Sequence, residues 1–196
     1  MKSLKNTRTA ENLMKAFAGE AQARNRYTYF ASKANKENYP QIEEIFLETA
    51  DNEAAHAKRF YKFLEKDFQG AQLKVEADYP VEIPETTEIN LRFAADGEHN
   101  ENSNLYPVFA DIADEEGFPE IATCFRMIAK AEVAHENRFR KLADNIKNGT
   151  VFKKDDKETL WKCGICGFIY EGPEAPKACP SCKHPQKFFE VFKETY

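Results

Sequence analysis

From about Thr7 to Lys36, apolar residues recur at helical spacing (Leu13, Phe17, Tyr27, Phe30, Ala34) with no proline among them, which predicts one long helix. Asn38-Tyr39-Pro40 interrupts the pattern. Pro40 suits the first turn of a second helix carrying Ile42, Ile45, Phe46, Phe60 and Leu64. The period fails over residues 69–90, where Gly70, Pro80 and Pro84 predict an extended crossover. A third helix is expected from about Leu91 to Glu116, kinked near its middle by Gly97 and Pro107. Gly117-Phe118-Pro119 turns into a fourth helix ending near Ile146. The polar stretch 148–158 then reads as a linker to a small module at 159–196, so the expected architecture is an all-α four-helix bundle over residues 1–147 with a C-terminal appendage.

The two predicted hairpins are copies of each other. An offset of 79 residues carries Tyr27 onto Tyr106, Phe30 onto Phe109, Pro40 onto Pro119, Phe46 onto Phe125, Glu53 onto Glu132, His56 onto His135 and Phe60 onto Phe139. Upstream the offset is 78, because Gly19-Glu20 matches Gly97-Glu98, so the second copy has gained one residue between Glu98 and Tyr106. A π-bulge absorbs a single insertion in a helix most cheaply, and such bulges cluster at functional sites; one is predicted here. Two hairpins and one long connection give a ferritin-like topology.

Residues three apart share a helix face, so Glu53 with His56 and Glu132 with His135 each aim an oxygen and a nitrogen in one direction. Glu20 and Glu98 occupy matching places on the other two helices. Two Glu-x-x-His helices facing two single-Glu helices is the ligand pattern of di-iron carboxylate bundles. One such pair could belong to a solvated face. Both pairs falling at the same point of a repeated hairpin, each completed by a Gly-Glu, argues for inward acids that need cations. Glu101, in the segment holding the insertion, has no acidic counterpart in the first copy, where Gln22 and Ala23 stand, and this asymmetry can distinguish two metal positions. Tyr27 shares the face of Glu20, and it and Tyr106 are candidates to hydrogen-bond ligating carboxylates or to serve as core aromatics. His99 points about 100° away from Glu98 and reads as a surface or packing residue.

Net charge is −5 with a pI near 5.5, and there is no long Lys/Arg block, which argues against nucleic acid as a partner. No apolar run reaches about 18 residues and the N-terminus has no signal-peptide pattern, so a cytoplasmic protein without a membrane partner is expected. Four of the five cysteines, Cys163, Cys166, Cys179 and Cys182, form two CxxC knuckles separated by twelve residues, a tetrahedral sulfur site for Zn or Fe. Cys124, left over in an apolar helical stretch, reads as a small core residue.

"CGICGFIYEG" followed by "CPSC" resembles the rubredoxin motif with a shortened spacer, with an aromatic shell expected from Trp161, Phe168, Tyr170 and Phe188. Together with the bundle pattern, it makes the whole chain resemble the rubrerythrin family. The resemblance implies a non-haem di-iron site that reduces hydrogen peroxide to water, with electrons passing through an Fe(Cys)₄ centre that can also take Zn. It implies that Glu20, Glu53, Glu98, Glu101, Glu132 and His135 hold the oxidised iron pair, and that His56 replaces Glu101 on one iron upon reduction. "GEHNENSNLYP" departs from the family's commoner wording but keeps these glutamates and Tyr106. The resemblance also implies a head-to-tail homodimer or a higher homo-oligomer. The chain has no GxGxxG dinucleotide fingerprint, so an external NAD(P)H-dependent reductase or small electron carrier is expected. A ferroxidase would account for the bundle but gives the cysteine module no task. A zinc-ribbon interaction protein would account for the tail but not for the inward acids.

Overall fold

The computed structural model describes residues 2–82 and 85–195; the expected breaker Pro84 lies outside them. Helix α1 (Arg8–Lys36) starts where Thr7 Oγ1 accepts the backbone N–H of Ala10 at 3.1 Å, and α2 (Pro40–Phe68) follows with Pro40 in its first turn. Residues 69–82 cross the molecule without regular structure. Helix α3 (Thr87–Asn100) starts four residues earlier than expected, because the Thr86 side chain caps it by accepting the N–H of Ile89 at 3.3 Å. A π-turn at Glu101–Leu105 joins α3 to α4 (Tyr106–Glu115), and α5 (Pro119–Lys147) closes the bundle.

The predicted insertion is therefore a π-turn, with the Tyr106 N–H bonded to Glu101 O across five residues. Pro107 stands just past it, where its missing N–H is tolerated. The repeat is visible in the backbone itself. Tyr39 (φ −116°, ψ 67°) and Phe118 (φ −115°, ψ 64°) precede α2 and α5 with nearly the same dihedrals, and each follows a left-handed residue, Asn38 at φ 66° and Gly117 at φ 78°.

Helix α1 packs along α2, and α3 and α4 along α5. The apolar core is split into two layers, each centred on an aromatic triad, and the repeat relates the triads: Tyr27, Phe46 and Phe139 in one, Tyr106, Phe125 and Phe60 in the other, with ring centroids 4.9–6.1 Å apart. Truncating any of these phenylalanines to Ala would cost about 3–5 kcal/mol. The glutamates discussed below lie between the two layers. The crossover is tied to α1 by the Tyr79 hydroxyl, which donates to Lys15 O at 2.9 Å, and by Arg26 Nε, 3.1 Å from Glu82 Oε2. Among the described residues, no helix is long and apolar enough to cross a membrane.

The C-terminal module is a three-stranded antiparallel sheet in the order β2-β1-β3, formed by β1 (Leu160–Cys163), β2 (Ile169–Glu171) and β3 (Phe189–Val191). Trp161 is fully buried and its Nε1–H donates to Gly172 O at 2.9 Å. The aromatic shell differs from the expected one. Phe189 and Phe152 pack with Trp161 and Phe168, while Tyr170 stands at the exposed edge with its ring over Gly172, where a Cβ would come within 2.9 Å of Tyr170 Cε1. Phe152 comes from the expected linker. Residues 152–154 pair with 173–175 through Lys154 N–H to Pro173 O (2.8 Å) and Ala175 N–H to Phe152 O (2.9 Å), so part of that stretch belongs to the module. The module rests against the start of α2, where Lys187 Nζ donates to Asn38 Oδ1 at 3.0 Å.

Candidate metal centres

Helices α2 and α5 each turn a Glu-x-x-His face to the bundle axis, and α1 and α3 supply Glu20 and Glu98 opposite. Glu20, Glu53, Glu98 and Glu132 are fully buried and His135 nearly so. Donor atoms of Glu20, Glu53, His56 and Glu132 lie within 4.8 Å of one another, and so do those of Glu53, Glu98, Glu132 and His135. Glu53 and Glu132 belong to both groups, and each splits its oxygens between them. His56 Nδ1 is 3.0 Å from Glu53 Oε2 and 2.9 Å from Glu132 Oε1; His135 Nδ1 is 3.2 Å from Glu53 Oε1 and 2.9 Å from Glu132 Oε2. The outcome is two adjacent positions bridged by two carboxylates, with the imidazole rings 6.1 Å apart.

The cluster is incomplete as protein alone. Glu20 Oε2, Glu53 Oε1, Glu98 Oε2 and both oxygens of Glu132 are buried without a hydrogen-bond donor. Uncompensated charges in such a place cost several kcal/mol each. Protons take up part of the load. Burial, then the neighbouring carboxylates Glu101, Glu53 and Glu132, holds Glu20 well above the usual carboxylate range; burial, with Glu53 and Glu132, raises Glu98 to about 8. Burial would lower both histidines, but the carboxylates of Glu132 and Glu53 close beside them prevail and raise His56 to about 9 and His135 to about 12. Burial would raise Glu53, and the adjacent imidazoles of His135 and His56 instead bring it down to about 2. Protonated imidazoles and neutral acids are thus substitutes for cations. Two metal ions bound by oxygen and imidazole fit the orphaned atoms without them.

The tyrosines cross between the repeats. Tyr27 on α1 donates to Glu98 Oε1 on α3 at 2.6 Å, and Tyr106 on α4 donates to Glu20 Oε1 on α1 at 2.5 Å. Both are buried, so the hydroxyls orient carboxylates while the rings fill the core. Glu101 is the one expected bundle residue outside both four-residue groups. It sits on the π-turn and lines a cleft beneath the crossover, its Oε1 3.7 Å from where a Cβ would stand at Gly19. Burial, then Glu98, Glu132 and Glu53, raises its carboxyl well above the ordinary value, and Arg26 opposes them. His99 is exposed and pairs with Glu136 at 3.1 Å, and Cys124 is half-buried against the core with its thiol raised by burial, as expected of both. Arg26 was not legible, because one arginine in a polar helix face looks like any solvated cation.

In the module the sulfurs of Cys163, Cys166, Cys179 and Cys182 also lie within 4.8 Å of one another. Cys163 to Cys182 is 3.8 Å and Cys166 to Cys179 is 3.6 Å. Disulfides would need about 2.05 Å, whereas a tetrahedron with metal–sulfur bonds of about 2.3 Å has edges of about 3.8 Å. The two knuckles share one turn: Gly167 N–H bonds Cys163 O at 2.8 Å and Lys183 N–H bonds Cys179 O at 2.9 Å, with φ 75° and 63° respectively. The Phe168 backbone N–H, more than the neighbouring thiols, lowers Cys166 to about 7. At Cys182 the His184 N–H works the same way, but burial and the other three sulfurs outweigh it and raise the thiol to about 12. Four thiolates at this distance need a cation among them. His184 Nδ1, 3.3 Å from Cys182 Sγ, was not singled out in the sequence.

Two family models match the chain, one described as rubrerythrin over residues 11–143 and one described as rubrerythrin, rubredoxin-like domain, over residues 161–190. The chain is 70% identical to the rubrerythrin of Clostridium perfringens, across 100% of both chains. It is 51% identical to the rubrerythrin of Nitratidesulfovibrio vulgaris, across 97% of each. The solved structure of the fully reduced, all-ferrous state of nigerythrin superposes with a TM-score of 0.64 at 30% identity, covering 97% of this chain and 92% of that one. Bundle and cysteine module are matched in the same order and at full length, and the chain belongs to the rubrerythrin family.

Proposed function

We propose that this chain is a peroxidase that reduces hydrogen peroxide to water at an iron pair in the bundle and draws its electrons through one iron held by the four cysteines. The observation that carries the reading is the presence in one chain of two bridged positions built from hard oxygen and imidazole donors and of a separate four-sulfur cage. The first suits an oxidant, the second single-electron relay. When bound, the iron pair supplies the two electrons that turn H₂O₂ and two protons into two waters.

The residues divide the work. Glu53 and Glu132 would hold both metal ions; Glu20 and His56 would complete one position, Glu98 and His135 the other. Tyr106 and Tyr27 each donate their hydroxyl hydrogen to one oxygen of Glu20 and Glu98, leaving the other oxygen to face the metal. The two aromatic triads keep water out above and below. With iron bound, His56 and Glu101 would alternate as ligands: a ferric ion favours the hard anion, a ferrous ion accepts neutral imidazole, and the exchange would let the charge of the ligand set follow oxidation state. A ferroxidase reading leaves the four-sulfur cage without a task.

Electrons come from an NAD(P)H-dependent reductase or a small carrier, and the working unit is at least a homodimer. The test is direct. Purified protein should be red, bleach with dithionite and hold about three irons per chain; reduced protein should consume hydrogen peroxide in proportion to its bundle iron. Iron deposition without peroxide turnover would replace this reading with the ferroxidase one, and a colourless chain with one zinc would remove both.

A further inference from the structure

The alternation of His56 and Glu101 requires somewhere for Glu101 to stay when it is not bound. Glu101 opens on a cleft of 380 Å³ whose walls include Gly19, Arg26, Tyr79, Gly97 and Tyr106. The cleft is built for a moving side chain. Gly19 and Gly97 leave the facing helices bare, and nothing stands within 4 Å of a Cβ built at Gly97. Tyr79 roofs it, fixed by its hydroxyl to Lys15 O at 2.9 Å. Glu101 itself sits on the π-turn, where the backbone widens, at a position that the first repeat fills with no acid.

A carboxylate leaving two metal ions needs a counter-charge. Arg26 lies seven residues after Gly19 and so on the same face of α1. Its guanidinium is mostly shielded, with 18% of the side chain exposed, and its Nε is held 3.1 Å from Glu82 Oε2 of the crossover, itself 14% exposed. This fixes the cation at the cleft wall. We infer that Arg26 is a positioning residue: it holds the displaced Glu101 carboxylate in the cleft, and thereby makes the His56-bound form of the reduced site accessible. The inference rests on the exchange proposed above.

The test uses the full-length, iron-loaded protein and reads ligands rather than turnover. In dithionite-reduced wild type, paramagnetic NMR should show two exchangeable imidazole N–H resonances, one each from His56 and His135. Arg26→Gln should lower the ratio of His56-bound to Glu101-bound reduced sites about tenfold, the scale of a close charge pair. Arg26→Lys, which keeps the charge, should restore most of it and guards against simple misfolding. The midpoint potential of the iron pair should fall in Arg26→Gln, and most of that fall should vanish when the substitution is made in a Glu101→Gln background. Unchanged imidazole signals in Arg26→Gln, or a potential shift of the same size in the Glu101→Gln background, would overturn the role of Arg26 while leaving the exchange intact. A single imidazole resonance in reduced wild type would overturn the exchange itself, and the role of Arg26 with it.

Discussion

Tyr106 donates its hydroxyl hydrogen to Glu20 Oε1 at 2.5 Å, from the second repeat to the first, while Oε2 of that buried carboxylate is left without a donor. Tyr106→Phe removes the donor and keeps the ring. The loss should lower metal affinity at the Glu20 position by about 10–100-fold, the usual effect of losing a group that orients a ligand. Chelator competition on the purified variant checks it; an unchanged affinity would reduce the hydroxyl to a passenger on a core aromatic.

Glu53 and Glu132 each touch both histidines, whereas Glu20 and Glu98 each belong to one group. Removing a bridge should therefore cost both positions. Glu53→Ala or Glu132→Ala should lose nearly all bundle iron, while Glu20→Ala or Glu98→Ala should keep about half of it, the cysteine iron being unaffected in every case. Metal analysis of the four variants decides, and equal losses across them would argue against two bridged positions.

The metal-free chain should show an inverted pH response. His56, raised to about 9, stabilises the fold fully below its unfolded value of about 6.5, and that stability is lost as pH rises through 9. Glu98, raised to about 8, acts in the same direction: its neutral form is favoured in the fold, and the advantage disappears as pH rises from about 4.3 to 8. Glu53, lowered to about 2, contributes stability that is fully present above about 4.3 and lost as pH falls through 2, so it is constant over this range. The melting temperature of apoprotein should fall between pH 6.5 and 9, and metal should largely remove the slope while releasing protons on binding. A flat or rising apoprotein curve would contradict the protonation pattern of the cluster.

Much of this site could be read before the structure because it is repeated. Glu53-His56 and Glu132-His135 are weak singly, but the 79-residue offset gives them the same place on α2 and α5, and the slip to 78 located the π-turn at Glu101–Leu105. Thr86 was missed as a cap since the proline-rich crossover before it masks the start of α3. Phe152 was missed because its neighbours are polar, and its pairing partners at 173–175 are set by tertiary contact. The pairing of Tyr27 with Glu98 and of Tyr106 with Glu20 lies outside any single-helix pattern: periodicity gives a face, but not which facing helix supplies the acceptor.

Cys179→Ser should abolish the visible absorption of the cysteine centre and turnover linked to NAD(P)H. The bundle, whose candidate ligands all precede residue 147, should still bind iron and react with peroxide after chemical reduction. Loss of bundle iron in this variant would show that the two parts fold as one.

The module contacts its own chain at Asn38 and at Gln41, whose Nε2 lies 3.5 Å from Glu190 Oε2, near the start of α2. Glu53 is twelve residues further along that helix, a separation of about 18 Å at 1.5 Å per residue before any distance within the module is added. Electron transfer weakens steeply with distance, so the path inside one chain is poor. A second copy, docked head to tail, can bring its cysteine cage against the flank of the bundle instead. Mixing a Cys179→Ser chain with a Glu53→Ala/Glu132→Ala chain gives heterodimers with one intact cage and one intact bundle on different chains. These should regain NADH-linked peroxidase activity that neither parent has. No recovery, with subunit exchange verified by mass spectrometry, would confine the path to a single chain.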